Sequence, residues 1–117
     1  MITRPLGPGA PDVSAVGFGG MPLSLSGRPP ESRAISVIHA ALEAGMTLID
    51  TADVYNGGRS EKIVGRALKG LRDKVVLASK AGMTVGQGAN DAGLSRYHIV
   101  RAAEASLKRL RTDRIDL

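Results

Sequence analysis

Three polar residues stand where short apolar runs give out. Asp50 follows TLI, Tyr55 lies five residues on, and Lys80 closes the run VVLAS. Residues of these types could move a proton together. A tyrosine hydroxyl, with a pKa of about 10, is a poor acid at neutral pH. A nearby ammonium stabilises the phenolate and lowers that value, while a carboxylate keeps the ammonium charged and oriented. Asp, Tyr and Lys thus make a tuned general acid for protonating an oxygen. Each also has a plainer reading: Asp as a turn or cap residue, Tyr packing its ring with the hydroxyl in water, Lys as a solvated charge. Their shared placement favours chemistry, because all three fall at or just beyond the ends of predicted strands.

The elements that must position them follow from apolar periodicity. Val13–Gly19 is short, β-branched and glycine-bounded, as expected of a strand, and Ile2–Leu6 could pair with its start as a hairpin. From Glu31, the spacing of Ile35, Ile38 and Leu42 predicts a helix that Gly45 would stop. Thr47–Ile49 is a compact strand ending in Asp50. The turn Asn56-Gly57-Gly58 leads to Ser60 as an expected N-cap, with Glu61 placed to complement the helix dipole. Ile63, Val64, Ala67, Leu68 and Leu71 give that helix its apolar face. Val75–Ala78 is a continuous apolar run, suited to a strand covered on both faces. A polar glycine loop, Gly82 to Gly93, then precedes Ser95, a second expected cap, and a helix whose predicted buried face is Ile99, Ala103, Leu107 and Leu110. Ile115–Leu117 opens a further strand.

Strands alternating with helices imply parallel pairing through right-handed crossovers. That leaves an open doubly wound sheet or part of a (β/α)8 barrel, whose active sites form at the carboxyl edge of the strands. GFGGMP from Gly17 superficially matches a dinucleotide fingerprint, but Pro22 replaces the third glycine and no helix follows. A phosphate loop of the GxxxxGK[ST] type is also lacking.

Composition narrows the function classes. The 117 residues contain no cysteine, so disulfides and thiolate metal sites are excluded, and only two histidines, His39 and His98. Both are expected on helices, His39 as a helix-face residue and His98 in a first turn. A run approaching the roughly 20 apolar residues of a membrane span is missing, as is a signal-peptide core, so a cytoplasmic location is expected. The net charge of +5 draws on Arg101, Lys108, Arg109, Arg111 and Arg114. Without aromatic interleaving or a nucleic-acid motif, this reads as a solvated helix face and a basic turn.

The segment GMTLIDTADVYNGGRSEKIVGRAL, from Gly45 to Leu68, closely resembles the second βα segment of the aldo-keto reductase family. VVLASK resembles that family's third strand with its lysine, VSAVGFGGMPLS its first strand, and RLRTDRIDL its approach to the fourth. The resemblance implies an α/β fold: the N-terminal half of a (β/α)8 TIM barrel, about three and a half βα units after a possible hairpin, with residues 1–117 as one domain portion. It implies reduction of an aldehyde or ketone with NADPH, NADH not being excluded. Tyr55 would donate the proton, Lys80 would lower its pKa, and Asp50 would pair with the lysine. Gly20 and Met21 match positions whose backbone approaches the nicotinamide end, and Asp50 shares that contact.

The family's histidine at the end of strand four has no counterpart, because the chain ends at Leu117. Neither His39 nor His98 follows a strand at the right edge. Two expectations compete from here: an aldo-keto reductase portion inactive by itself, or a non-catalytic half-barrel that associates with itself or a partner half through open edges. Expected partners are a small-molecule carbonyl substrate, with no nucleic acid and no membrane.

Overall fold

A computed structural model describes every residue but Ser26. The hairpin is present: β1 (Thr3–Pro5) pairs antiparallel with β2 (Asp12–Ser14), Arg4 opposite Val13. The expected single strand over 13–19 is therefore two. Between its halves the Ser14 hydroxyl turns to the Val16 carbonyl, and the Ala15 amide bonds back to Ile2, so the chain leaves the hairpin before β3 (Phe18–Gly19) begins. Ser14 and Thr47 exchange amide-to-hydroxyl bonds of 2.8 and 2.9 Å, fastening the hairpin to the start of the next strand.

That strand, β4 (Leu48–Asp50), lies between β3 and β5 (Val76–Ala78) in a parallel sheet. Gly19 is level with Asp50, and Asp50 with Ala78, so the carboxyl ends of all three strands finish together. The last residues were expected to open a fourth strand. They form no regular strand of their own, yet Asp116 and Leu117 donate to the Leu77 carbonyl and Ser79 donates to Leu117. They thus run along β5 as the edge of the sheet.

Helix α1 (Glu31–Glu43) buries Ala34 and Ile38, with Ile35 and Leu42 packed beside them, and stops at Gly45, whose φ of +91° accommodates the left-handed turn. Helix α2 (Arg59–Ala67) lies between α1 and α3 (Arg96–Leu110). It ends before Leu71, which falls outside the core that Ile63, Val64, Ala67 and Leu68 share with Ile49 and Leu77.

Helix α3 corrects the expected apolar face. His98, Ala102, Ser106 and Leu110 are buried, whereas Ile99 is 42% and Val100 45% exposed, Ala103 is exposed and Leu107 half-buried. Close approach decided this. A side chain at Gly65 of α2 would overlap the Leu110 backbone, so α2 meets the C-terminal end of α3 at backbone distance. Ile99 and Val100 of α3 are turned away from that contact.

Candidate active site

The level strand ends place three short segments side by side. Past Asp50, the Thr51 amide bonds to the Ala78 carbonyl and the Asp53 amide to the Lys80 carbonyl, so the tyrosine loop, residues 51–58, is tied to the end of β5. Asn56, Gly57 and Gly58 all have positive φ, at 48°, 60° and 82°, and turn the loop back into α2. The Asn56 amide nitrogen donates to the Ser24 carbonyl at 2.7 Å and secures the turn.

Asp50, Tyr55 and Lys80 are brought together. The Lys80 ammonium donates to both Asp50 carboxylate oxygens, at 2.7 and 2.6 Å, to the Thr51 carbonyl at 3.0 Å and to Tyr55 Oη at 3.2 Å. It also lies 5.0 Å from the Tyr55 ring centroid. Partial burial works against its charge, but the hydrogen bonds to Asp50 and Tyr55 outweigh that, and the Lys80 pKa is raised. An ammonium has no lone pair, so Tyr55 Oη is the acceptor in their contact, which does not use the hydroxyl's own proton. That proton is free to be donated elsewhere.

Gly20 and Met21 follow β3 at the same edge. The Gly20 amide donates to the Asp50 carbonyl at 2.7 Å, and its carbonyl accepts from Ser60 Oγ at 2.8 Å. A Cβ there would lie 2.8 Å from that hydroxyl, so only glycine fits. With both backbone groups of Gly20 engaged, Met21, 44% exposed, is the more open of the two.

Ser60 was expected to cap α2, and that is corrected. Gly58 holds the cap position, while Ser60 is fully buried, bonded to Gly20 and to Thr51 Oγ1 at 2.8 Å. Glu61 stands in the first turn of α2, as expected. It is also fully buried, with Arg109 Nε at 2.5 Å and Ser79 Oγ at 2.7 Å. Arg109, expected on a solvated face, is thereby drawn inward.

The histidines are where their helices carry them. His39 Nε2 lies 2.8 Å from the Ala67 carbonyl oxygen, joining α1 to α2. Ser95 caps α3 as expected, its hydroxyl accepting from the His98 amide at 3.1 Å. The His98 side chain is buried, which its place in a first turn did not foretell.

Residues 15–117 match the aldo/keto reductase family. The chain belongs to that family. It is 40% identical to the uncharacterized oxidoreductase YqkF of Bacillus subtilis over 100% of this chain and 38% of that protein. Against methylglyoxal reductase YeaE of Escherichia coli it is 46% identical over 83 residues, 71% of this chain and 26% of that one. Among solved structures, the holo form of aldo-keto reductase AKR11C1 from Bacillus halodurans superposes with a TM-score of 0.86 at 40% identity, over 98% of this chain and 38% of that chain. The chain thus spans 38% or less of the length of these three relatives. As an aldo-keto reductase it has the fold of the first βα units of the (β/α)8 barrel, and the described residues form no closed barrel. None of its described helices is long and apolar enough to cross a membrane.

The network under this candidate site was not visible in the sequence. Thr51, Ser60 and Gly20 join the ends of β4 and β3 to α2 beneath Asp50, and Glu61, Ser79 and Arg109 join α2, β5 and α3. Their one sequence signal was position. Ser60 and Glu61 stand about one turn ahead of Ile63 and Val64, in the first turn of the helix that follows the tyrosine loop.

Proposed function

We propose that this chain carries the proton-delivering part of an NADPH-dependent carbonyl reductase, in which Asp50, Tyr55 and Lys80 are catalytic. The observation that supports the reading is the contact between Tyr55 Oη and a lysine itself held by Asp50. When an aldehyde or ketone oxygen takes up the Tyr55 proton, the phenolate that remains is stabilised by the ammonium 3.2 Å away. Asp50 keeps that ammonium charged and fixed. A reduced nicotinamide, when bound, supplies the hydride that the carbonyl carbon requires. The residues present fit its reactive end. Met21 is open at the strand edge, the space beside Gly19 is clear, and Tyr55 offers a proton but nothing that could reduce carbon. Met21, Gly20 and Asp50 would lie against that end. NADPH rather than NADH, small carbonyl compounds as substrates and a cytoplasmic setting complete the reading.

A chimera tests it. Residues 1–117 would replace the matching segment of YqkF, and turnover of methylglyoxal with NADPH would be measured. We expect turnover in the chimera and a loss of 10²-fold or more in Tyr55→Phe, the scale of general acid catalysis. A folded chimera without turnover, or one indifferent to Tyr55→Phe, overturns the assignment.

A second reading, a half-barrel that associates through its open edges, draws support from exposed Ile99 and Val100 on α3 and from the edge segment at Asp116–Leu117. Sedimentation at micromolar concentration is expected to show dimers or larger species. A cooperatively folded monomer counts against association.

A further inference from the structure

A cleft of about 370 Å³ lies behind the tyrosine loop, between that loop, the glycine loop and α3. Asp53, Thr84, Asn90, Asp91, His98 and Arg101 are among its lining residues, whereas Asp50, Tyr55 and Lys80 are not. The glycine loop forms its outer wall, closed by the Gly93 amide on the Gly82 carbonyl and by the Val85 amide on the Asp91 carbonyl.

Two polar side chains in this cleft are buried with an atom unmet. Asp53 is 5% and His98 3% exposed, and Asp53 Oδ2 and His98 Nε2 have no hydrogen-bond partner among the described residues. Their chemistry limits what could meet them. His98 Nδ1 lies 2.8 Å from the Asn90 carbonyl oxygen, which can only accept, so the ring proton belongs on Nδ1. A neutral imidazole then presents Nε2 as an acceptor, and an ionised Asp53 presents another. Unmet buried acceptors are costly and uncommon in folded proteins.

The charges along the wall favour a cation. Arg109 is engaged with Glu61, which leaves Asp53 and Asp91 against Arg101. Arg101 in turn lies over the Tyr97 ring, 5.2 Å from its centroid, and donates to the Tyr97 hydroxyl on its own helix. Burial, and then the neighbouring Glu61 charge, push the Asp53 pKa up, against the hydrogen bond from the Val54 backbone and the charge of Arg109. A positive group in the cleft would relieve both effects.

We propose that this cleft binds a small organic cation carrying N–H donors, a primary amine or a guanidine, whose N–H groups meet Asp53 Oδ2 and His98 Nε2. The site is separate from the carbonyl-reducing one. Val54 and Gly57, on either side of Tyr55, line it too, so an occupant would brace the tyrosine loop from behind.

The test uses the full chain labelled with nitrogen-15 and follows the His98 Nε2 resonance. Methylammonium and methylguanidinium are the probes, and tetramethylammonium, a cation without an N–H group, is the control. Saturable shifts with the first two and none with the third are expected, with affinity at least tenfold weaker in Asp53→Asn. The idea fails if tetramethylammonium shifts the resonance equally, since charge alone would then suffice. It fails if neither probe acts, or if Nε2 already carries a proton at neutral pH and ignores the amines, because one proton shared with Asp53 would satisfy both atoms. An unfolded chain also defeats it. Should Asp53→Asn not fold, the comparison of the three probes on the native chain decides. Turnover is not consulted, so the outcome is independent of the carbonyl-reductase reading.

Discussion

Two ion pairs, both linking segments around β5, have opposite surroundings. Lys80 and Asp50 meet at the open edge of the sheet, with side chains 51% and 41% exposed. Glu61 and Arg109 meet between α2 and α3, with side chains 0% and 23% exposed. In the first, water screens the charges, so the pair adds little stability while remaining open to a reacting molecule. In the second, water is excluded, the carboxylate is met by both Arg109 and Ser79, and neither oxygen is left free. Under the proposed function the same chemistry serves reaction in one place and architecture in the other, and solvent access is what separates them.

The largest effect should come from breaking the enclosed pair. Arg109→Ala would leave the Glu61 carboxylate buried without its cation, and removing one partner of a buried pair costs about 3–5 kcal/mol. Urea unfolding of the chain should show that loss. A change below about 1 kcal/mol, within the range of exposed pairs, would mean that water reaches Glu61 and the contrast is false.

Next comes the open pair. Lys80→Met removes the ammonium but keeps most of the stem, and should cost less than about 1 kcal/mol in the same measurement. In the chimera, however, turnover should fall about 10²-fold or more, because the phenolate left by proton transfer loses its counter-charge. A variant that unfolds readily yet keeps its turnover would exchange the roles assigned to the two pairs.

This contrast also explains how far the sequence could be read. Asp50, Tyr55 and Lys80 were legible because each stands at or shortly beyond the end of an apolar run, and parallel strands of matched register deliver their ends to one edge. Ser95 was legible because its capping bond is local, three residues long. Glu61 and Ser60 were not. Near a helix start each has a sufficient local explanation, while their actual partners stand 48 and 40 residues away. Helix α3 failed for a related reason. Ile99, Ala103 and Leu107 have the helical period of a core face, but the side turned inward is that of His98, Ala102, Ser106 and Leu110, the last of these against Gly65. Periodicity finds an apolar stripe; it does not say which neighbour is in place to cover it.

The smallest effect expected is one of pH, and it follows from the two cations. The folded pKa of Lys80 is raised, so its pair contributes fully below the unfolded lysine value of about 10.4 and is lost as pH rises through the folded one. An arginine keeps its proton throughout that window. The stability difference between the native chain and Lys80→Met should therefore shrink as pH rises past about 10.4, whereas the difference for Arg109→Ala should persist. Thermal unfolding of the three proteins from neutral to strongly alkaline pH would show it. If both differences faded together, the native scaffold rather than Lys80 would be titrating. If neither faded, the contacts at 2.6 to 3.2 Å would not be what holds the lysine in its place.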